Sequence, residues 1–234
     1  MNREKRDRLF GDFLFITTME LGVAFRTIVG KWRDSWEDFR LGISTITDRK
    51  PSPGGRHNDS HGYGPTPYAH LEALASALSL NGDDVFFDIG CGRGRAVCFM
   101  AGKGARKIVG IEIFDKFIEQ ARANASVVSS LGGADIEILH CDAAAVPSDV
   151  IDEGTVFYMY SPFGFRTLRG FVDGLEESLR RRPRGLTVVY HTPTHEWYLD
   201  DRPWLVANRR LCISPMATIC IWRSRPDYDS ANGL

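Results

Sequence analysis

Residues 85–94 read Val85-Phe86-Phe87-Asp88-Ile89-Gly90-Cys91-Gly92-Arg93-Gly94, a short apolar run that gives way to three glycines in five residues. An apolar run of this length bounded by glycine predicts a buried strand. The glycines let backbone pass close to a ligand, and the helix predicted over 95–103 presents its free N–H groups there. A dinucleotide fingerprint would need glycine or alanine at 95 or, one frame on, at 97. Arg95 and Val97 stand there instead, which disfavours NAD and FAD. No G-K-[ST] follows, so there is no P-loop either.

Outward from this turn, strands and helices alternate. Further strands are predicted over Lys107–Ile113, Ile136–Cys141, Thr155–Tyr160, Leu186–Tyr190, Leu211–Ile213 and Thr218–Trp222. The helices fall over His70–Leu80, Lys116–Ser130 and Arg166–Arg181. This alternation predicts an α/β fold: a doubly wound, mostly parallel seven-stranded sheet. The last two strands are too close for a helical crossover and must pair antiparallel.

Upstream, Phe10, Leu14, Leu21, Phe25, Ile28 and Trp32 have helical spacing and predict an N-terminal helical cap over 1–47 with one buried face. Residues 48–62 hold almost nothing apolar, so 48–68 is read as a loop acting as a lid. The main domain is then 69–225, with a short tail at 226–234.

The 234 residues carry a formal charge of −1, with 43% hydrophobic and 25% charged residues. That is a globular composition, without a global attraction to phosphate backbones or anionic membranes. Asp12, Glu20 and Arg26 interrupt the apolar N-terminal stretch, making a membrane span costly. The five cysteines lack CxxC spacing and read as reduced thiols, which points to the cytoplasm. No His/Cys/carboxylate spacing suggests a metal. Arg180, Arg181, Arg182 and Arg184 form the densest charge run and read as a solvated helix end that complements the dipole.

Two further acids fall in register with Asp88. Glu112, eighteen residues after Gly94, ends the second strand and can accept hydrogen bonds from both hydroxyls of a ribose. Asp142 follows the third strand. Three carboxylates at successive strand tips define a nucleoside-binding edge, because open α/β sheets bind ligands at the carboxyl ends of their strands.

On these motifs residues 84–164 resemble the class I S-adenosylmethionine-dependent methyltransferases, a seven-stranded family whose last strand is antiparallel. The resemblance implies S-adenosyl-L-methionine as cofactor. Asp88 would lie near the methionine moiety, and the backbone of Gly90, Cys91, Gly92 and Gly94 would wrap the methionine and ribose. Glu112 and Ile113 would sit at the ribose, and Asp142 with Ala143 at the adenine amine. Tyr63-Gly64-Pro65-Thr66-Pro67-Tyr68 is similar to Y-x-P-T segments that close over the cofactor in some protein-lysine methyltransferases, which adds Tyr63, Thr66 and Tyr68. Tyr160-Ser161-Pro162-Phe163-Gly164 partly resembles the [DNS]-P-P-[YF] loop of amino-group methyltransferases but has one proline instead of two. Tyr160 would then border the cofactor, with Ser161, Pro162 and Phe163 at the acceptor. His191, just past the fifth strand, is the candidate general base.

The leading expectation is N-methylation of an amine, on a protein lysine or a small molecule. The alternatives are O-methylation of a small metabolite with His191 as base, an RNA or DNA methyltransferase, which the near-zero net charge disfavours, and a non-catalytic cofactor-binding partner. The oligomeric state is not legible in the sequence.

Overall fold

The computed structural model describes residues 28–46, 59–226 and 228. Its strands are β1 (Val85–Ile89), β2 (Lys107–Glu112), β3 (Asp135–His140), β4 (Val156–Tyr160), β5 (Thr187–His191), β6 (Leu205–Ser214) and β7 (Ala217–Ser224). They form one sheet in the order β3-β2-β1-β4-β5-β7-β6. The first five run parallel, and β7 is antiparallel to both β5 and β6. The expected doubly wound sheet with its terminal hairpin is therefore present. Both hairpin strands are longer than the apolar residues alone predicted. Pairing to β7 carries β6 through Arg209 and Arg210, where apolar alternation fails.

The helices are α1 (28–41), α2 (Tyr68–Leu78), α3 (Arg95–Met100), α4 (Asp115–Ser129), α5 (Ser148–Ile151), α6 (Phe165–Arg181) and α7 (Glu196–Asp200). The short α5 and α7 were not anticipated; one or two turns are too brief to show a period. Strand side chains alternate between two cores. Phe86, Ile108, Tyr158 and Val189 face α2, α3 and α4, while Phe87, Val109, Phe157 and Met159 face α6 and α7. β1 is buried at every position, as a central parallel strand must be. Each fully buried Leu, Ile or Phe contributes about 1.5–3 kcal/mol.

The N-terminal cap departs from expectation. Phe10, Leu14, Leu21 and Phe25 lie outside the described residues, as does most of the 48–62 loop. Ile28 and Trp32, expected to be buried, are 55% and 75% exposed. The face of α1 that docks is acidic: Asp38 is 4% exposed, and Asp34 and Asp38 both pair with Arg95. Arg95 sits 2% exposed at the start of α3 and cannot remain there without opposite charge. That demand outweighs the apolar stripe in fixing which way α1 faces.

The arginine run is more structural than a solvated face. Arg184 donates to the carbonyls of Gly154 (2.6 Å) and Ile151 (3.1 Å), tying the end of α6 to the turn after α5. Arg181 pairs with Asp152 at 2.8 Å.

Candidate active site

A cavity opens at the carboxyl ends of β1, β2, β3 and β4 and is roofed by residues 60–66. Its floor is the glycine loop. Gly90 and Gly92 have φ of +77° and +55°, a region that side chains disfavour. A Cβ on Gly90 would stand 2.5 Å from Pro162 Cβ, and one on Gly92 would overlap the Tyr63 ring. Both positions therefore need glycine for space as well as for conformation. Gly94 (φ +82°) precedes α3 and lies outside the cavity wall.

Glu112 is the clasp of this floor. Its Oε2 accepts from Gly92 N–H at 2.8 Å, and its Oε1 from the N–H groups of Ile113 (2.8 Å) and Phe114 (3.0 Å). Burial pushes the carboxyl up from the ordinary range, against the three N–H groups that hold it down. An ionised carboxylate offers about four lone-pair sites. Three are taken, so in this arrangement one remains, on Oε2, for a ribose hydroxyl; the pair of ribose bonds read from the sequence exceeds it.

Asp88, Cys91, Ile113, Asp142 and Ala143 all line the cavity. The Asp142 Oδ1 also accepts from Ala144 N–H at 2.9 Å, capping the turn after β3. Asp88 is buried beneath the glycine loop, and desolvation, with Glu112 nearby, pushes its carboxyl up to about 8. A carboxyl raised this far favours a cationic neighbour, which would restore its charge.

The roof is tied to the loop after β4. His61 N–H donates to the Pro162 carbonyl at 2.8 Å, Gly164 N–H to the Asp59 carbonyl at 2.9 Å, and Ser60 bridges Phe163. The Asp59 carboxylate accepts from Thr167 Oγ1 (2.5 Å) and Arg166 N–H (3.2 Å), placing negative charge at the start of α6. Tyr63 lies over the floor, 4.8 Å from the Phe117 ring centroid, and its hydroxyl donates to the Thr45 carbonyl at 2.7 Å. Tyr160, Pro162 and Phe163 form the wall beyond Asp88.

Besides Gly94, three of the expected site residues lie elsewhere. Tyr68 is fully buried in the first turn of α2 and donates to Asp38 at 2.7 Å, so it packs the α1 dock and does not reach the cavity. Ser161 (φ +37°) turns its hydroxyl inward, where it is buried without a partner, and presents its carbonyl to His61. His191 is fully buried behind Tyr160, whose ring stacks on it at 4.1 Å. Desolvation lowers its pKa to about 3. A sealed imidazole that stays neutral cannot take a proton directly from an acceptor.

Sequence reasoning missed Arg95, Asp34, Asp38 and Thr45, the polar knot behind the floor. Arg95 donates to Thr45 Oγ1 (2.6 Å) and Asp34 Oδ2 (2.9 Å), and its guanidinium lies 4.9 Å from the Tyr68 ring centroid. The available signal was an arginine opening the otherwise apolar stretch Arg95-Ala96-Val97-Cys98-Phe99-Met100 with no acid three or four residues on. Asp59 and the walls Phe114 and Phe117 were missed too, since their roles arise only from long-range contact. Among the described residues no group of three His, Cys, Asp or Glu is placed to hold a metal, and all five cysteines are free.

Residues 86–181 match the methyltransferase-domain family. A Saccharolobus islandicus protein named protein-lysine N-methyltransferase is 35% identical over 75 residues, 32% of this chain. The matched stretch spans about half that relative's length (47%). The fold is similar to an RNA methyltransferase from Salinibacter ruber in complex with S-adenosyl-L-homocysteine: TM-score 0.56, 24% identity, 71% of this chain and 97% of that one. A ribosomal protein L11 methylase from Lactobacillus delbrueckii subsp. bulgaricus gives a TM-score of 0.53 at 15% identity, covering 70% and 81%. At such identities the two structures speak for the fold alone. The sheet order and the glycine loop agree with the fold of the class I S-adenosylmethionine-dependent methyltransferases, and residues 86–181 are similar to a methyltransferase domain. The class binds S-adenosylmethionine, and the glycine cradle, the free acceptor site of Glu112 and the buried Asp88 fit that cofactor.

Proposed function

We propose that this chain transfers methyl groups from S-adenosylmethionine to the side-chain amine of a protein lysine. The observation that carries the reading is the wall beyond Asp88, where Tyr160, Pro162 and Phe163 offer ring and aliphatic surface to an acceptor. An alkyl chain ending in a nitrogen suits such a wall, because an amine needs only to lose a proton before it attacks. The name of the relative from Saccharolobus supports the same class.

When bound, the cofactor supplies an electrophilic methyl on a sulfonium. The chain's part is placement. Glu112, Ile113, Asp142 and Ala143 would hold the nucleoside, Gly90, Cys91 and Gly92 the methionine, and Asp88 the positive charge. Tyr63 and Thr66 would close the roof. Excluding water and aligning the amine in line with the methyl supply most of the acceleration. O-methylation with His191 as base is disfavoured by that residue's burial. A nucleic-acid acceptor is disfavoured by the formal charge of −1.

The test is incubation with methyl-labelled S-adenosylmethionine and a host lysate separated into protein, nucleic acid and small molecules, with peptide mass spectrometry on the protein fraction. Methyl-lysine that disappears with Glu112→Ala is the expected result. Label confined to RNA or to small molecules would overturn the lysine assignment.

A further inference from the structure

A line of hydrogen bonds leaves the cavity wall and runs along one face of the sheet, from β4 past β5 to α2. Thr66 Oγ1, at the wall, lies 2.9 Å from the hydroxyl of Tyr158 on β4. That hydroxyl lies 3.0 Å from His191 Nδ1, and His191 Nε2 lies 3.1 Å from Nδ1 of His70 on α2. Tyr158 and His191 are fully buried, whereas His70 is partly exposed.

We propose that Thr66, Tyr158, His191 and His70 form a relay that carries the proton lost by the acceptor amine from the cavity to solvent. The inference rests on the amine reading above. Methylation of a lysine ammonium forms one N–C bond, breaks the sulfonium C–S bond with its electron pair going to sulfur, and releases one proton per methyl. In the relay the Thr66 hydroxyl accepts this proton and passes its own proton to Tyr158. Tyr158 donates to His191 Nδ1, His191 gives its Nε2 proton to His70 Nδ1, and His70 releases its other ring proton to water. Each member has one donor and one acceptor in the required sense, so the proton count closes. Rotation of the hydroxyls and exchange of the imidazole tautomers reset the line.

The surroundings of His191 suit a conduit more than a store of charge. The titratable groups facing it are Tyr158 and Tyr160 from β4 and His70 from α2, while β7 presents Ile219 in register. Asp34 on α1 acts on His70, and Asp88 on β1 acts on Tyr158. Burial keeps the imidazole neutral, so a proton passes through without resting there.

Two measurements test this. The first is independent of turnover: nitrogen-15 NMR of the ligand-free chain should show His191 as the neutral Nε2–H tautomer at pH 7. The Nδ1–H tautomer would aim the line inward and overturn the relay. The second compares Tyr158→Phe and His70→Ala with the wild-type chain between pH 7 and 9.5, with cofactor affinity measured alongside. Tyr158→Phe should bind cofactor normally yet turn over about 10- to 100-fold more slowly at pH 7, a deficit that shrinks as the amine deprotonates toward its ordinary pKa of about 10.4. Added imidazole should restore His70→Ala. A loss in Tyr158→Phe that is equal at every pH would mean that the line merely satisfies buried polar groups, and the relay would be wrong. A wild-type chain that binds cofactor but methylates no lysine would instead defeat the functional reading, and the relay with it.

Discussion

The strand-tip edge that carries Asp88, Glu112 and Asp142 and the N-terminal assembly that backs and roofs it are held by opposite means. At the edge, acids are fixed by local geometry: Glu112 takes N–H groups from the next two residues, and Asp142 caps the turn that follows it. In the N-terminal assembly nearly every anchor is distant in sequence. Arg95 reaches 61 residues back to Asp34, and Asp59 reaches 108 residues forward to Thr167. The acids of the edge use backbone donors that any sequence supplies, whereas the assembly adds to its backbone ties charged pairs that only particular partners satisfy. The edge should therefore tolerate substitution of neighbouring side chains, and the assembly should fail sharply when one partner is removed.

The largest effect expected is on the assembly. Arg95→Met leaves Asp34 and Asp38 without their cation, and breaking a buried pair from one side costs about 3–5 kcal/mol. Urea unfolding measures it. A loss below about 1 kcal/mol would mean that α1 is held by something other than the charge knot.

At the edge, Glu112→Ala should weaken cofactor binding by about 1.5–3 kcal/mol, one charge-assisted hydrogen bond. It should also destabilise the ligand-free chain, because three N–H groups lose their acceptor. Titration calorimetry with an unchanged dissociation constant would remove Glu112 from the cofactor site.

Asp88 gives a pH signature that the assembly does not share. Its carboxyl ordinarily titrates near 3.8 and in the fold near 8, so the native state binds an extra proton between those values. This group's contribution to stability therefore falls as pH rises from about 4 to about 8 and is level above that. Asp88→Asn removes the slope. Above pH 8 the ligand-free variant should melt higher than the wild-type chain, by about 2–4 °C for each kcal/mol recovered. Cofactor affinity should rise through pH 8 in the wild-type chain and stay flat in the variant. Parallel profiles would mean that Asp88 does not face the cofactor's positive charge.

The smallest effect belongs to a pair outside both regions. Arg181→Ala removes an exposed bridge to Asp152, and thermal unfolding should register almost no change in midpoint. A larger loss would show that the arginine run anchors α6 as strongly as Arg95 anchors α1.

The sequence disclosed the edge because its rules are short-range. A strand, three glycines and acids at the tips of the next strands can be read within one βαβ unit, and Gly90, Gly92, Glu112, Asp142 and Ala143 line the cavity at that edge. It was less informative about side-chain direction. Tyr68 stood beside Thr66 in the same motif, yet helix α2 starts at Tyr68 and turns the ring into the core, while Thr66 stays at the wall. His191 was read at the correct edge of the sheet, but its position on β5 does not reveal that Tyr160 on the neighbouring strand covers it.

The sheet, with its crossovers and its terminal hairpin, and the acids at the strand tips follow from the chain alone, since periodicity, glycine spacing and turn chemistry act over a few residues. Long-range packing is what makes α1 dock by its acids, ties 59–66 across the loop after β4, and lines up Thr66, Tyr158, His191 and His70. Those arrangements satisfy buried charges and hydroxyls with whatever partner the fold brings near, and such partners leave no periodic trace in the chain.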